Sequence, residues 1–238
     1  MERLLVNNIT IDIVRKDIKN IHLAVYPPSG RVRLAVPMAM TEDSMRLFAI
    51  SKLSWITRNQ RKFEQQERML PREYKERESH YFQGRRYLLN IVITGTRPKI
   101  ALKGKKTLEL HVNPDTPATV RHKMLREWYR TQLKKQIPVL ISKWENILKV
   151  QVHSWRVRQM KTKWGGRNEE KKSIWINLEL AKKPVRCLEY IIVHEMVHLL
   201  QKQHNAAFLN QMNTYLPKWK QLKNELNKLP VSHSDWKY

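Results

Sequence analysis

The segment from Tyr190 to Leu200 constrains the fold more than any other part of the chain. Ile191, Ile192, Val193, Met196, Val197, Leu199 and Leu200 make it apolar almost all round, which on a helix means burial. Yet His194, Glu195 and His198 interrupt it, and buried polar groups without partners are costly, so the fold must supply partners for these three. His194 and His198 stand four residues apart, which sets both rings on one helical face, one turn above the other. Two imidazoles so placed can share one metal ion. Glu195 lies one position round from His194, beside the metal and not on it, where its carboxylate can accept a proton from a metal-bound water. Zinc lowers the pKa of such a water to about 7, and the same glutamate can then pass the proton to a leaving amine.

A catalytic zinc needs a third protein ligand and an open position. His204 follows in Gln203-His204-Asn205, a turn after the helix that can bring its ring back to the metal. Glu225, on a separate later helix, and His233, near the C-terminus, are the alternatives. A three-histidine site suits zinc, and one Zn2+ per chain is the expectation. The one cysteine, Cys187, excludes both a disulfide framework and a cysteine-rich zinc ribbon. Among Leu188, Ile191 and Ile192 it reads as a small buried residue. Met212 reads as core packing and not as the methionine turn of metzincins. Tyr215, Lys163 and Arg167 are all possible partners for a developing oxyanion, and the sequence does not choose between them.

A chain of 238 residues holds one large domain, or a compact domain with an N-terminal extension. Lys and Arg outnumber Asp and Glu by 46 to 21, a net charge of +25, and that excess attracts polyanions such as DNA. The N-terminus lacks the apolar stretch of a signal peptide, and no apolar run is long enough to span a bilayer. A soluble, cytoplasmic protein with no membrane partner is the expectation.

Along the chain, Ile9, Ile11 and Ile13, then Ile21, Leu23 and Val25, then Val32, Leu34 and Val36 alternate with polar residues and predict a small antiparallel meander. An amphipathic helix follows within 37–70. The strands at 87–93, 99–102 and 107–112 are expected to complete the first sheet. From Asp115-Thr116-Pro117 a long helix begins, which Pro138 should kink or divide. Its basic face carries Arg121, Lys123, Arg126, Arg130, Lys134 and Lys135, a ridge suited either to solvent or to phosphates. Strands at 150–157 and 173–178 flank a glycine-containing basic loop from Lys161 to Lys172. A helix runs from Pro184 to about Lys202, and helices at about 206–215 and 217–229 close the chain. No internal repeat is evident. Lys161, Lys163 and Trp164 precede Gly165-Gly166 on a segment that reads either as a plain loop or as an edge that pairs with extended substrate.

Met160-Lys161-Thr162-Lys163-Trp164-Gly165-Gly166, Ile174-Trp175-Ile176-Asn177-Leu178, Pro184, Tyr190 to His198, then His204 and Phe208 together resemble the YgjP-type branch of the SprT-related zinc metallopeptidases. The resemblance covers most of the chain and implies an α+β fold. Its centre is a minimal zincin-like core, with the active-site helix packed under a mixed sheet, preceded by an N-terminal β-rich extension. On this basis residues 1–113 form the β-rich region, 114–230 the catalytic core and 231–238 a tail, within one compact unit. The resemblance favours His204 over Glu225 as third ligand. It departs from the family at Gly166-Arg167, where serine and cysteine are frequent, and at Gln203, where asparagine is.

The expected function is therefore zinc-dependent peptide hydrolysis, with Glu195 catalytic and His194, His198 and His204 on the metal. SprT-type relatives are associated with proteins attached to DNA. In this chain Arg121, Arg126, Arg130, Lys134, Lys161, Lys163 and Arg167 are the candidates to contact DNA, and Trp164, Gly165 and Gly166 to contact substrate. The competing readings are a metal-dependent hydrolase of nucleotides or other phosphate esters and anhydrides, and a non-enzymatic DNA-binding module with a structural zinc. Glu195 argues against the last, since a structural site has no use for a base beside an open position.

Overall fold

A computed structural model describes residues 2–26, 29–65, 72–160 and 163–228. The chain divides into two compact units, Met1–Glu67 and Arg68–Tyr238, so it is neither one unit nor divided near 113. The 231–238 tail lies outside the described residues.

In the first unit the apolar alternation becomes strands β1 (Glu2–Val6), β2 (Ile9–Lys16), β3 (His22–Tyr26) and β4 (Arg31–Pro37), in the spatial order β1-β2-β4-β3. The predicted meander is corrected: β2 and β4 run parallel, with β1 and β3 added antiparallel outside them. Between β1 and β2, Asn7 and Asn8 both take positive φ (43° and 63°), a turn conformation that asparagine tolerates and that matches strand twist. Leu4, Val6, Ile11, Ile13, Val32, Leu34 and Val36 pack against Met45 and Ala49 of α1 (Glu42–Ser51) and Ile56 of α2 (Leu53–Gln65). Thr41 caps α1 by accepting a hydrogen bond from the Ser44 N–H, a contact worth about 1 kcal/mol. The expected single helix is interrupted at Lys52.

The second unit begins with β5 (Ser79–Phe82), β6 (Arg85–Ile93), β7 (Lys99–Lys103) and β8 (Thr107–Val112). These do not complete the first sheet. They form their own, ordered β5-β6-β8-β7, because Tyr87, Leu89, Leu108, Leu110 and Val112 share a core with the long helix that follows. The new sheet repeats the strand order and directions of the first, including a two-residue turn with positive φ at both Gln83 and Gly84. This internal repeat is carried by the burial pattern and not by residue identity, which is why it escaped the sequence reading.

Helix α3 (Ala118–Leu148) runs unbroken through Pro138. Proline removes one backbone bond, but Leu133, Ile137, Ile141 and Trp144 are buried on both sides of it and hold the two halves in line. A three-stranded mixed sheet follows, ordered β10-β11-β9, from β9 (Ser154–Arg158), β10 (Gly165–Asn168) and β11 (Ser173–Asn177). β10 is an edge strand within what the sequence marked as a basic loop. A 3-10 turn (Leu178–Lys182) leads to α4 (Val185–Val197), then α5 (Ala206–Tyr215) and α6 (Trp219–Lys228). The turn at Gly84 braces this region: Gln83 and Gly84 donate to the carbonyls of Ala181 and Lys182. A Cβ on Gly84 would stand 2.7 Å from Pro184 Cγ, at the cap of α4. Among the described residues no helix is long and apolar enough to cross a membrane.

Candidate active site

Nine side chains of α4 are buried, including Glu195, so the helix sits in the core as its composition requires. It packs against β10, β11, α3 and α6. It ends at Val197, earlier than the sequence suggested, but His198 caps it in helical geometry and keeps the one-turn spacing to His194. The chain then turns through Gln201 to Asn205. The Asn205 side chain accepts the Phe208 N–H at 2.9 Å and starts α5.

That turn brings His204 back to the helix. Its Nε2 lies 3.0 Å from Nε2 of His198 and 3.2 Å from Nε2 of His194. Two nitrogens held about 2.0–2.1 Å from a tetrahedral zinc are about 3.3 Å apart, so the three rings fit such an ion. The tautomer of His198 fits as well. His198 Nδ1 faces the Gln201 carbonyl at 2.8 Å, which can only accept, so Nδ1 carries the proton and Nε2 presents its lone pair. Their ligand atoms all lie within 4.8 Å of one another, a group that could hold a metal ion.

Phe208, 1% exposed, underlies all three rings, with centroids 5.1 Å from His194, 4.7 Å from His204 and 4.4 Å from His198, on which it stacks. The sequence marked Phe208 only as part of a motif. Its role as an apolar floor depends on a fold-back that residue spacing does not reveal.

Glu195 is 6% exposed, and burial pushes its carboxyl up to about 7, against the opposing pull of Arg167 and Lys163. Burial pushes His194 down to about 3 and His198 down to about 4, which keeps both rings neutral and able to ligate. These shifts make the metal-free fold sensitive to acid. The histidines titrate at 6.5 when unfolded, so the stability they contribute is present above pH 6.5 and is lost as the pH falls towards 4 and 3. His80, held down to about 3, acts in the same sense. Glu195, raised from 4.5, opposes them: its contribution is full below pH 4.5 and is lost as the pH rises to 7. Three histidines outweigh one carboxyl, so the urea midpoint of the metal-free protein is expected to fall from pH 7 to pH 4. A midpoint that rises over that range would show the histidines to be charged in the fold.

Gly165, the first residue of β10, faces Glu195 directly. A Cβ there would stand 2.6 Å from Glu195 Oε1 and 2.8 Å from Ile191 Cγ2. Gly165→Ala is expected to displace the glutamate and to cost about 1–3 kcal/mol, read as a drop of several degrees in the melting midpoint. Wild-type melting would mean that strand and helix can part without penalty.

Of the other sequence candidates, Arg167 is half-buried on β10. It donates to the Lys202 carbonyl at 2.6 Å and pairs with Glu169, tying the strand to the turn that carries His204. Lys163 is exposed, and Trp164 packs partly buried against the core. Gly166 lies under Trp175, where a Cβ would meet its ring at 3.2 Å. Asn177, to which the sequence assigned no role, donates to the carbonyls of Met160 and Lys163 and so shapes the entry to β10. Lys161 lies outside the described residues.

The basic face of α3 is less open than expected. Arg121 donates to the carbonyls of Thr116 and Tyr74, Arg130 to that of Val157, and Arg126 is half-buried, which leaves Lys123, Lys134 and Lys135 exposed. Glu225 is engaged by Arg186 in a two-pronged ion pair on the far end of α4, which removes the runner-up ligand. His233 falls outside the described residues. Cys187 and Met212 are fully buried, and Tyr215 packs partly buried against the core.

The profile of the family described as YgjP-like, metallopeptidase domain, matches residues 19–229. No curated protein matches significantly. Among solved structures, the chain is similar to the crystal structure of the metallopeptidase zymogen of Pyrococcus abyssi abylysin. The similarity has 19% identity and a TM-score of 0.36 over 38% of this chain and 90% of that one.

Proposed function

The chain belongs to the YgjP-like metallopeptidase family, and from that footing we propose that His194, His198 and His204 hold one zinc ion and that Glu195 serves peptide hydrolysis as base and then as acid. The observation that carries this reading is the convergence of His204 Nε2 on those of His198 and His194, at 3.0 and 3.2 Å, beside the buried carboxyl of Glu195. When bound, such an ion polarises a carbonyl and lowers the pKa of a coordinated water to about 7.

The chain's own groups supply the rest. The buried Glu195 carboxyl, beside the three rings on the same helix, can take a proton from the attacking water and release it to the departing amine. Gly165 leaves room for that carboxyl, and β10, at the edge of its sheet, offers unpaired backbone to an extended peptide. The burial of α4 against a mixed sheet of β10, β11 and β9 supports a zincin-like core. The net charge of +25 supports a preference for proteins associated with DNA, with Lys123, Lys134 and Lys135 as exposed contacts.

A peptide library incubated with the zinc-loaded chain, with and without chelator and with and without DNA, tests the reading. Nucleoside triphosphates belong in the same assay, because Lys163 and Arg167 act on Glu195 and cations there suit phosphate substrates. Cleavage of the triphosphates alone would replace the peptidase reading with the phosphohydrolase one.

A further inference from the structure

Ile174 and Ile176 of β11 and Val157 of β9 point into the core. Side chains alternate along a strand, so Trp175, Arg156 and Arg158 point the opposite way. The register sets Gly166, Trp175 and Arg156 side by side across β10, β11 and β9, with Arg158 two residues on along β9. Trp175 is the one residue of β11 that is not buried, and both arginines are exposed. The indole lies over Gly166, whose missing Cβ lets it approach the sheet.

The cations of this face are not neutralised. The Arg158 guanidinium stands over the Trp175 ring, 4.7 Å from its centroid, and neither it nor Arg156 has a carboxylate partner among the described residues. The remaining positions on this face of the three strands are serine or asparagine, so no carboxylate stands among the cations. Lys171 and Lys172 are exposed in the turn that joins β10 to β11, against Glu170, while Glu169 is already engaged by Arg167 and Lys202.

We infer that this face binds single-stranded nucleic acid, with a base stacked at Trp175 and the backbone phosphates met by Arg156 and Arg158. The charge is complementary, and a net charge of +25 draws polyanions to the chain as a whole. An aromatic ring set among cations on an open sheet suits an unpaired base, because every base has a π-face and a duplex keeps its bases stacked on one another. With no carboxylate to hold it, the Arg158 guanidinium can turn to a phosphate and leave the ring to the base. The surface is separate from the lysines of α3 and uses neither the three histidines nor Glu195, so it stands or falls apart from the peptidase reading.

Fluorescence anisotropy of a labelled oligothymidylate of about ten nucleotides, titrated with the full chain at several salt concentrations, tests it. Trp175→Ala is expected to weaken binding about tenfold through loss of the stacked base. Arg156→Gln, at an exposed position with no ion pair to lose, is expected to keep the wild-type melting midpoint. It should lower the slope of log affinity against log salt by about 0.7, the share of one phosphate on a single strand. No binding of the oligonucleotide, or binding that both variants leave unchanged, overturns the inference. So does an oligoglutamate peptide that competes as well as unlabelled oligothymidylate, which would make the face a dock for an acidic protein.

Discussion

Glu195→Gln is expected to lower the turnover of a peptide substrate by about 10²–10⁴-fold, the usual contribution of a positioned acid–base group, and to leave the metal content unchanged. The amide keeps the shape of the carboxylate, which matters because a Cβ on Gly165 would already crowd Oε1 at 2.6 Å. It removes only the ability to hold and release a proton. In the metal-free chain burial raises that carboxyl, with Arg167 and Lys163 drawing it the other way. The measurement is kcat on the zinc-loaded variant, with zinc counted by elemental analysis and the fold checked by melting. Full activity in a folded, zinc-loaded variant would remove Glu195 from the chemistry. Activity lost together with the zinc would mean that it supports the ligands instead.

His204→Ala is expected to weaken metal binding by more than about 100-fold, since changes to groups that merely orient a ligand already cost 10–100-fold. His204 is the most exposed of the three rings and lies on a turn, so its removal leaves the core intact, whereas His198 is 2% exposed and stacked on Phe208. Chelator competition gives the affinity directly. Glu225→Gln is the matched control. The ion pair with Arg186 occupies that carboxylate, so metal affinity should not move. If Glu225→Gln released the metal and His204→Ala did not, the ligand set would be wrong.

How far the site is legible in the sequence follows from distance along the chain. His194, Glu195 and His198 lie on one helix, where residue number fixes relative position through the helical repeat, and an apolar helix cannot bury them unpartnered. His204 required a turn to fold back, so spacing made it the nearest candidate with Glu225 as the runner-up, and resemblance to a family strengthened that order. The apolar floor of Phe208, the Asn205 cap and the Arg167 tie to the Lys202 carbonyl are contacts between elements and left no periodic signal. The basic ridge of α3 illustrates the converse error. Arginines at helical spacing look like a solvent face, yet Arg121 and Arg130 spend their guanidinium groups on carbonyls of neighbouring segments.

The same division runs through the fold. Alternation located most strands, because a half-buried strand must alternate, but pairing was beyond its reach. A strand beside a parallel partner and one beside an antiparallel partner show the same pattern of apolar residues, so the parallel β2–β4 and β6–β8 pairs, the separate second sheet and the repeat between the two sheets emerged only in three dimensions. Taken alone, the sequence determined that a buried helix carries two imidazoles and a carboxylate, because local geometry and the cost of burying unpartnered polar groups allow little else. The tertiary structure decided which third ring meets them and what lies beneath the rings, because each of those is a contact between residues that only folding brings together.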